Sequence, residues 1–270
     1  MYRRLLYLLS TVVLLAAVSC RQESPPGGGA AQAPEAPIRI GAVFAVSGPA
    51  SFLGLPEKRT VEMLVKQINA EGGVNGRRVE VLIKDSAGSS EKALSVARQL
   101  IEEQNVVAII GPTRSGPSLT LKPVCEEAQV PLVTCAAAEA IVDPVARYVF
   151  KTAQKDSQAV TWIFRAMKDM GIRRIGVVTG STGFGQNGKK HLAAMAPEME
   201  IEIAGSEVYD AKATDLTDVL AKIKAADVEA VVNWSIVPAQ SIVAKNMKQI
   251  GLDVPLFQSH GFGNPKYAEA

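Results

Sequence analysis

From residue 38 onward, short apolar runs alternate with longer segments in which apolar residues return every three or four positions. Run 38–45 reads as a strand, and 56–70 as a helix whose Val61, Leu64, Val65 and Ile68 share the face that would cover a sheet. Residues 78–85 alternate Val79, Val81 and Ile83 as a strand does, and 91–103 sets Leu94, Ala97 and Ile101 on one helical face. Run 106–110 is continuously apolar, as expected of a strand covered on both sides. A helix over 115–128 and a strand over 131–134 follow. A second series predicts helices over 157–170, 186–195, 215–226 and 238–250, alternating with strands over 174–179, 201–209, 230–234 and 256–259. In the segment 215–226, Leu216, Val219, Leu220 and Ile223 fall at i, i+3, i+4 and i+7. Regular alternation predicts an α/β protein with parallel, doubly wound sheets. Two series joined through 148–156 predict two Rossmann-like lobes, 38–155 and 156–270.

The pattern before residue 38 is of another kind. Arg3 and Arg4 precede an apolar run, 5–17, too short to span a bilayer comfortably, the arrangement of a secretory signal over 1–19. The run ends Ala16-Ala17-Val18-Ser19-Cys20, which resembles the lipobox of bacterial lipoproteins, although Ala17 stands where leucine is usual. The resemblance implies that Cys20 is lipidated and becomes the first mature residue; a plain signal or an uncleaved anchor is the alternative. Residues 20–37, rich in Pro, Gly, Ala and Gln, read as a flexible tether. Loss of 1–19 removes Arg3 and Arg4 and no acid, so the formal charge of +2 falls to neutrality. A neutral chain argues against nucleic acid as a partner.

Chemistry-bearing residues are few. Cys125, Cys135, His191 and His260 do not make a structural metal set, and no cofactor is expected. An exported compartment permits a disulfide, yet two buried or partly buried free thiols are the simpler reading of the cysteines. His191 is expected on a solvated helix face. No nucleophile is paired with a base, and 111–116 is not the strained serine elbow of hydrolases, so no enzyme is expected. The segment 180–190 does satisfy G-x-G-x-x-G through Gly183, Gly185 and Gly188, and G-x-x-x-x-G-K through Gly183 to Lys189. Lys190 stands where a magnesium-binding hydroxyl is needed, and no convincing acid ends the next strand. A nucleotide-dependent enzyme is therefore a remote alternative to a turn lining a crevice.

In doubly wound sheets ligands bind beyond the carboxyl ends of strands. That rule selects loops 46–54, 111–116, 135–138, 180–185, 234–237 and 259–261, drawn from both series. Closure of two lobes around a small molecule is the natural mechanism.

The residues 68–78, Ile-Asn-Ala-Glu-Gly-Gly-Val-Asn-Gly-Arg-Arg, close a helix, turn on three glycines and launch a strand. Their wording resembles the substrate-binding proteins of branched-chain amino acid ABC importers, the leucine/isoleucine/valine-binding family with the type 1 periplasmic binding fold. Segments 46–49, 111–116 and 131–134 match the same pattern. The resemblance covers about 38–268, and because the family usually continues well beyond that point, finishing the second lobe and then completing the first, the chain reads as truncated, with elements of both lobes missing.

The resemblance places Ser115 where the amino-acid binders hydrogen-bond a ligand carboxylate; a helix N-cap is the alternative. Thr113 and Ala136 belong to the same candidate loops, and Arg114 faces either a second acidic group or solvent. Other positions depart from the family. Ala138 stands where a threonine contacts the ligand, His260 where an acid meets the ammonium, Leu53 where an aromatic closes, and Phe184 where a tyrosine would keep its hydroxyl. A buried ammonium without a carboxylate partner is costly. With Phe52, Leu53, Phe184 and Trp234 as apolar walls and His260 as a donor or titrating group, the site is expected to take an apolar or aromatic carboxylate in preference to an α-amino acid. The implied function is that of an exported, Cys20-anchored solute-binding lipoprotein on the periplasmic or cell-surface side of a bacterial membrane, working with ABC permease subunits. A ligand-sensing receptor of the same fold is the other alternative.

Overall fold

A computed structural model of the protein describes residues 35–263. The candidate signal, Cys20 and the tether up to residue 34 lie outside the described residues, as do 264–270.

The first half runs β1 (Ile38–Phe44), α1 (Ser51–Ala70), β2 (Val79–Asp85), α2 (Ser90–Glu102), β3 (Ala108–Ile110), α3 (Ser115–Ala128), β4 (Leu132–Thr134) and β5 (Val149–Lys151). The second runs α4 (Asp156–Asp169), β6 (Arg174–Gly180), α5 (Gly183–Met195), β7 (Glu202–Tyr209), α6 (Thr217–Ala225), β8 (Ala230–Trp234), α7 (Ile242–Gln249) and β9 (Leu256–Gln258). All strand pairs are parallel, in the orders β2-β1-β3-β4-β5 and β7-β6-β8-β9. In each sheet the chain steps outward from its first strand, returns past it and continues on the other side. The strand order therefore reverses between β1 and β3 and again between β6 and β8, the crevice positions where open α/β sheets hold ligands.

The alternation predicted from the sequence is observed, and packing explains it. In the second sheet Ile175, Val177, Val232 and Trp234 point to one side and meet Phe164 of α4 and Phe184 and Leu192 of α5. Their neighbours Val178 and Val231 point to the other side and meet Leu220 and Ile223 of α6 and Val243 of α7. Burial on both faces is why β8 reads as a continuous run. In the first sheet Val43, Ile109 and Leu132 pack with Ala97, Leu100 and Leu121 of α2 and α3. The opposite side is thinner: α1 runs along β1 and β2, so Val61, Val65 and Ile68 are half-buried and Leu64 stays 45% exposed.

The segment 68–78 has a local cause. The Asn69 amide donates to the Val79 carbonyl at 2.9 Å and accepts the Val79 N–H at 2.8 Å, pinning the end of α1 to the start of β2. Gly73 turns with φ +78°, and a Cβ there would lie 2.0 Å from the Arg77 carbonyl oxygen.

Helix 238–250 shortens to α7 and strand 106–110 to β3, and three further departures from expectation bear on the crevice. Helix α1 begins at Ser51 and carries Pro56 inside it. Gly54 lies so close to the end of β1 that an added Cβ would meet the Ala45 oxygen at 2.2 Å, so glycine lets an extra turn form there ahead of the proline, closed by the Gly54 N–H on the Ala50 carbonyl at 3.2 Å. Helix α5 begins at Gly183, because the Thr182 hydroxyl accepts the Gly185 N–H at 3.2 Å and starts the helix early. Strand β5 was read as part of a linker; three residues are too few to show a period, and pairing with β4 makes the strand.

Candidate functional site

Both reversal points open on one cavity of about 460 Å³, lined by both lobes. The first lobe supplies Phe52 and Leu53 from the first turn of α1, Thr113 and Ser115 around the start of α3, and Cys135, Ala136 and Ala137 after β4. The second supplies Phe184 from α5, Ile236 after β8, and His260, Gly261 and Gly263 after β9; Ala153 and Gln154 come from the connecting segment. No Asp or Glu is among these lining residues.

On the first lobe the polar groups are held in a mesh. The Ser115 hydroxyl accepts the Ala138 N–H at 3.2 Å, which leaves its own proton to donate. The Thr113 hydroxyl accepts the Ala45 N–H at 2.9 Å and lies 2.5 Å from the Glu57 carboxyl. Below them Thr134 and Ser118 share a 2.5 Å hydroxyl contact, and Thr134 donates to the Pro112 carbonyl at 3.1 Å. Loop residues Val46 and Ser47 donate their N–H groups to Asp85 at 2.9 and 3.1 Å. Burial raises the Glu57 carboxyl to about 7, with the Thr113 and Cys135 hydrogen bonds pulling the other way. Burial, with Glu57 adding to it, pushes the Cys135 thiol up to about 12, so it stays a neutral donor. Cys125 is likewise a free thiol raised to about 12 by burial.

The second lobe presents rings. His260 stands edge-on to Phe184 and to Trp234, with centroids 5.0 and 5.4 Å away. Burial, helped by the Lys151 charge, lowers His260 to about 4, so it is neutral at pH 7. Both its nitrogens are buried without a hydrogen-bond partner in the protein. Its Nε2 is 4.0 Å from Asp156 Oδ1, itself unpartnered. That separation is too long for a hydrogen bond, and a neutral imidazole makes no ion pair. Asp156 is raised to about 6 by burial, against the Glu139 N–H that donates to its Oδ2 at 2.9 Å.

A clamp ties the lobes beside the cavity. While Glu139 donates to Asp156, its own carboxylate accepts the Ser157 N–H at 2.9 Å, so a short helical turn of the first lobe and the start of α4 cap each other. Lys155 and His191 lie 3.7 and 3.8 Å from the same carboxylate. His191 is thus half-buried against Glu139, where the sequence placed it on a solvated face. Lys151 donates to the carbonyls of Ala137 and Gln154.

The structure brings Phe52, Leu53, Thr113, Ser115, Ala136, Phe184 and His260 around one space. Three candidates fall elsewhere. Trp234 is fully buried and forms the core behind Phe184, 5.8 Å between centroids, because β8 points it into the sheet interior. Ala138 is fully buried and reaches the site only through its N–H on Ser115. Arg114 lines a second, mostly apolar cavity of about 540 Å³ with Pro49, Lys212, Val237 and Ile242, on the other side of Ile236. Sequence reasoning missed Ala153, Gln154 and Gly263 among the lining residues, and Glu57 behind them. Glu57 falls one turn after Leu53, a spacing visible only once α1 is known to begin at Ser51.

The three glycines of 183–188 each have a packing cause. A Cβ on Gly183 would sit 3.0 Å from the Gly116 nitrogen, where the start of α5 abuts the start of α3. One on Gly185 would meet the Gly180 oxygen at 1.9 Å, and one on Gly188 the Trp234 ring at 2.2 Å. Gly183 and Gly185 bring backbones together and Gly188 admits a core ring; none of the three needs a phosphate to explain it.

Similarity to known proteins agrees with this geometry. The sequence model of the periplasmic binding protein family matches residues 37–268. The chain belongs to that family. Leu/Ile/Val-binding protein homolog 7 of Brucella suis biovar 1 (strain 1330) is 29% identical over 210 residues, which cover 74% of this chain and 52% of that protein. The chain thus spans about half the length of such curated relatives. Among solved structures, an extracellular ligand-binding receptor from Rhodopseudomonas palustris HaA2 superposes with a TM-score of 0.79 at 28% identity, covering 86% of this chain and 64% of that one. A periplasmic binding protein type 1 from Bordetella pertussis Tohama I gives 0.79 at 27%, covering 86% and 65%. This periplasmic binding protein has the type 1 fold, with two doubly wound lobes.

Proposed function

We propose that this periplasmic binding protein is the solute-binding component of an ABC importer of the branched-chain amino acid type. It captures a small carboxylate between its lobes and delivers it to permease subunits. The observation that carries the reading is the cavity itself: hydroxyl donors beside Phe52 and Leu53 on the first lobe, the rings of Phe184 and His260 on the second, and no acid among the described lining residues. Ser115, with its proton free, binds the carboxylate, and Phe52, Leu53, Phe184 and Ile236 enclose an apolar or aromatic body. Arg114 meets a second acidic group only in ligands long enough to pass Ile236. The α-ammonium of an amino acid would find no carboxylate on this wall, so a deaminated acid fits better than leucine, although the Brucella relative is named for leucine, isoleucine and valine. Export by the N-terminal signal and anchoring through lipid on Cys20 complete the reading; two or more acyl chains give stable attachment. Binding, with no chemistry on the ligand, is the whole of its activity.

A thermal-shift panel of proteinogenic amino acids against their 2-oxo analogues and benzoates tests this. Stabilisation by the carboxylates and little by free leucine or valine is expected. The reverse ranking would overturn the ligand assignment, and no response to any small acid or amino acid would overturn the capture function.

A further inference from the structure

Glu57 is a carboxyl that the binding scheme leaves unused, yet it touches two residues of the cavity wall. Its carboxyl lies 2.5 Å from the Thr113 hydroxyl and is hydrogen-bonded by the Cys135 thiol. Thr113 in turn accepts the Ala45 N–H. A hydroxyl has a single proton to give. When Glu57 is ionised, it can only accept, so Thr113 must spend that proton on it and has none for a ligand. When Glu57 is protonated, its O–H donates to Thr113, and the threonine proton becomes free to turn into the cavity. Repulsion between two carboxylates acts in the same direction.

We propose that Glu57 is a positioning residue that stores a proton behind the cavity and, by giving Thr113 its hydrogen bond, releases the Thr113 hydroxyl to a bound carboxylate. The inference rests on the carboxylate reading of the site. Binding then draws up to one proton from solution onto Glu57, the more so as pH rises above 7, and the bound ligand holds it there. Among the described residues no cation forms an ion pair with Glu57. On its own helix Lys58 pairs with Glu62 at 3.7 Å. Across the cavity Lys151 is engaged with the carbonyls of Ala137 and Gln154, Arg114 faces the second cavity, and His260 is neutral near pH 7. Just after β4, Cys135 touches Glu57, and its thiol stays protonated throughout the relevant range.

Calorimetry of benzoate binding to the full chain, with the Glu57→Gln variant beside it, tests the linkage. For a free-state value of about 7, affinity should fall about tenfold between pH 6 and pH 8. In the variant the profile should be flat, since a glutamine amide donates to Thr113 at every pH. Titrations of the unmodified chain in phosphate and in Tris at pH 7.5 read the proton directly, with uptake of more than about half a proton per benzoate expected. This arm stands even if the variant does not fold. A flat profile with no proton uptake, while benzoate binds, overturns the inference and leaves the carboxylate reading in place. If benzoate binds at no pH, the carboxylate reading falls and takes the linkage with it.

Discussion

The two walls of the cavity are built on opposite plans. The first lobe offers hydroxyls whose acceptor sites are filled by its own backbone, Ser115 by Ala138 and Thr113 by Ala45, so their protons are directed outward or toward Glu57. The second lobe offers Phe184, Ile236 and His260 backed by Trp234, with three buried polar atoms of His260 and Asp156 unpartnered. The difference teaches a division of labour. Under the proposed carboxylate reading the Ser115 dipole needs no rearrangement to meet an anion, whereas Thr113 must first turn its proton away from Glu57. An aromatic wall contributes area and shape and tolerates a range of ligand bodies.

The largest test of this contrast is Trp234→Ala. If the ring is core, removing it should cost about 3–5 kcal/mol of stability by urea denaturation. A loss of ligand affinity with stability unchanged would instead return Trp234 to the cavity wall. On the opposite wall, Ser115→Ala should leave the fold nearly intact and weaken carboxylate binding by roughly tenfold or more, the worth of a hydrogen bond to a charged group. Calorimetry that finds unchanged affinity would make Ser115 a helix-start residue only.

Glu57 sharpens the comparison through pH. Its folded value of about 7 lies above the ordinary 4.5, so the folded state holds the proton more tightly than the unfolded chain does. Stability from this group is intact below about 4.5, falls as pH rises to 7, and stays low above that. Glu57→Gln should therefore raise stability at pH 8 by about 1–2 kcal/mol, with the remaining solvent exposure of the carboxyl reducing the full linkage value, and change little at pH 4. Equal effects at both pH values would contradict a buried, proton-holding carboxyl. The smallest effect is expected from His260→Phe. Because burial lowers His260 from 6.5 to about 4, stability is lost as pH falls through that window, and phenylalanine removes the loss. At pH 7 the variant should lie within about 1 kcal/mol of the parent in thermal melts, since the ring is kept and two unpartnered nitrogens are removed. A large loss at pH 7 would mean that the imidazole nitrogens are engaged.

Much of the fold was legible in residues that repeat a local rule. The helices over 56–70, 91–103 and 215–226 declared themselves by periodicity, the strand 230–234 by its place in the alternation, and 68–78 by its glycines; the Asn69 clamp on Val79 emerged only in the structure. Loop 111–116 was legible because the start of a helix after a strand is a fixed place in this architecture, while the choice of Ser115 within it rested on the family resemblance. The start of α1 was not, since Pro56 is an ordinary first helical residue, and the turn ahead of it fits only because Gly54 has no Cβ to strike Ala45. That single boundary hid Glu57. Trp234 looked like a wall because it ends a strand, and strand ends border the crevice. Which way its ring points depends on the pleat of β8, and there Gly188 makes room for it in the core.

By itself, then, the sequence determined the alternation of elements, the two parallel sheets and the loops at their carboxyl ends, because periodicity and turn chemistry act over a few neighbouring residues. The tertiary structure alone decided which side chains of those loops share a cavity, that Arg114 and Ser115 face different spaces, and that Glu57 reaches Thr113 across 56 positions of chain. Contacts between distant segments depend on how closely helices settle on strands, and a glycine or a pleat can redirect them without altering the local pattern.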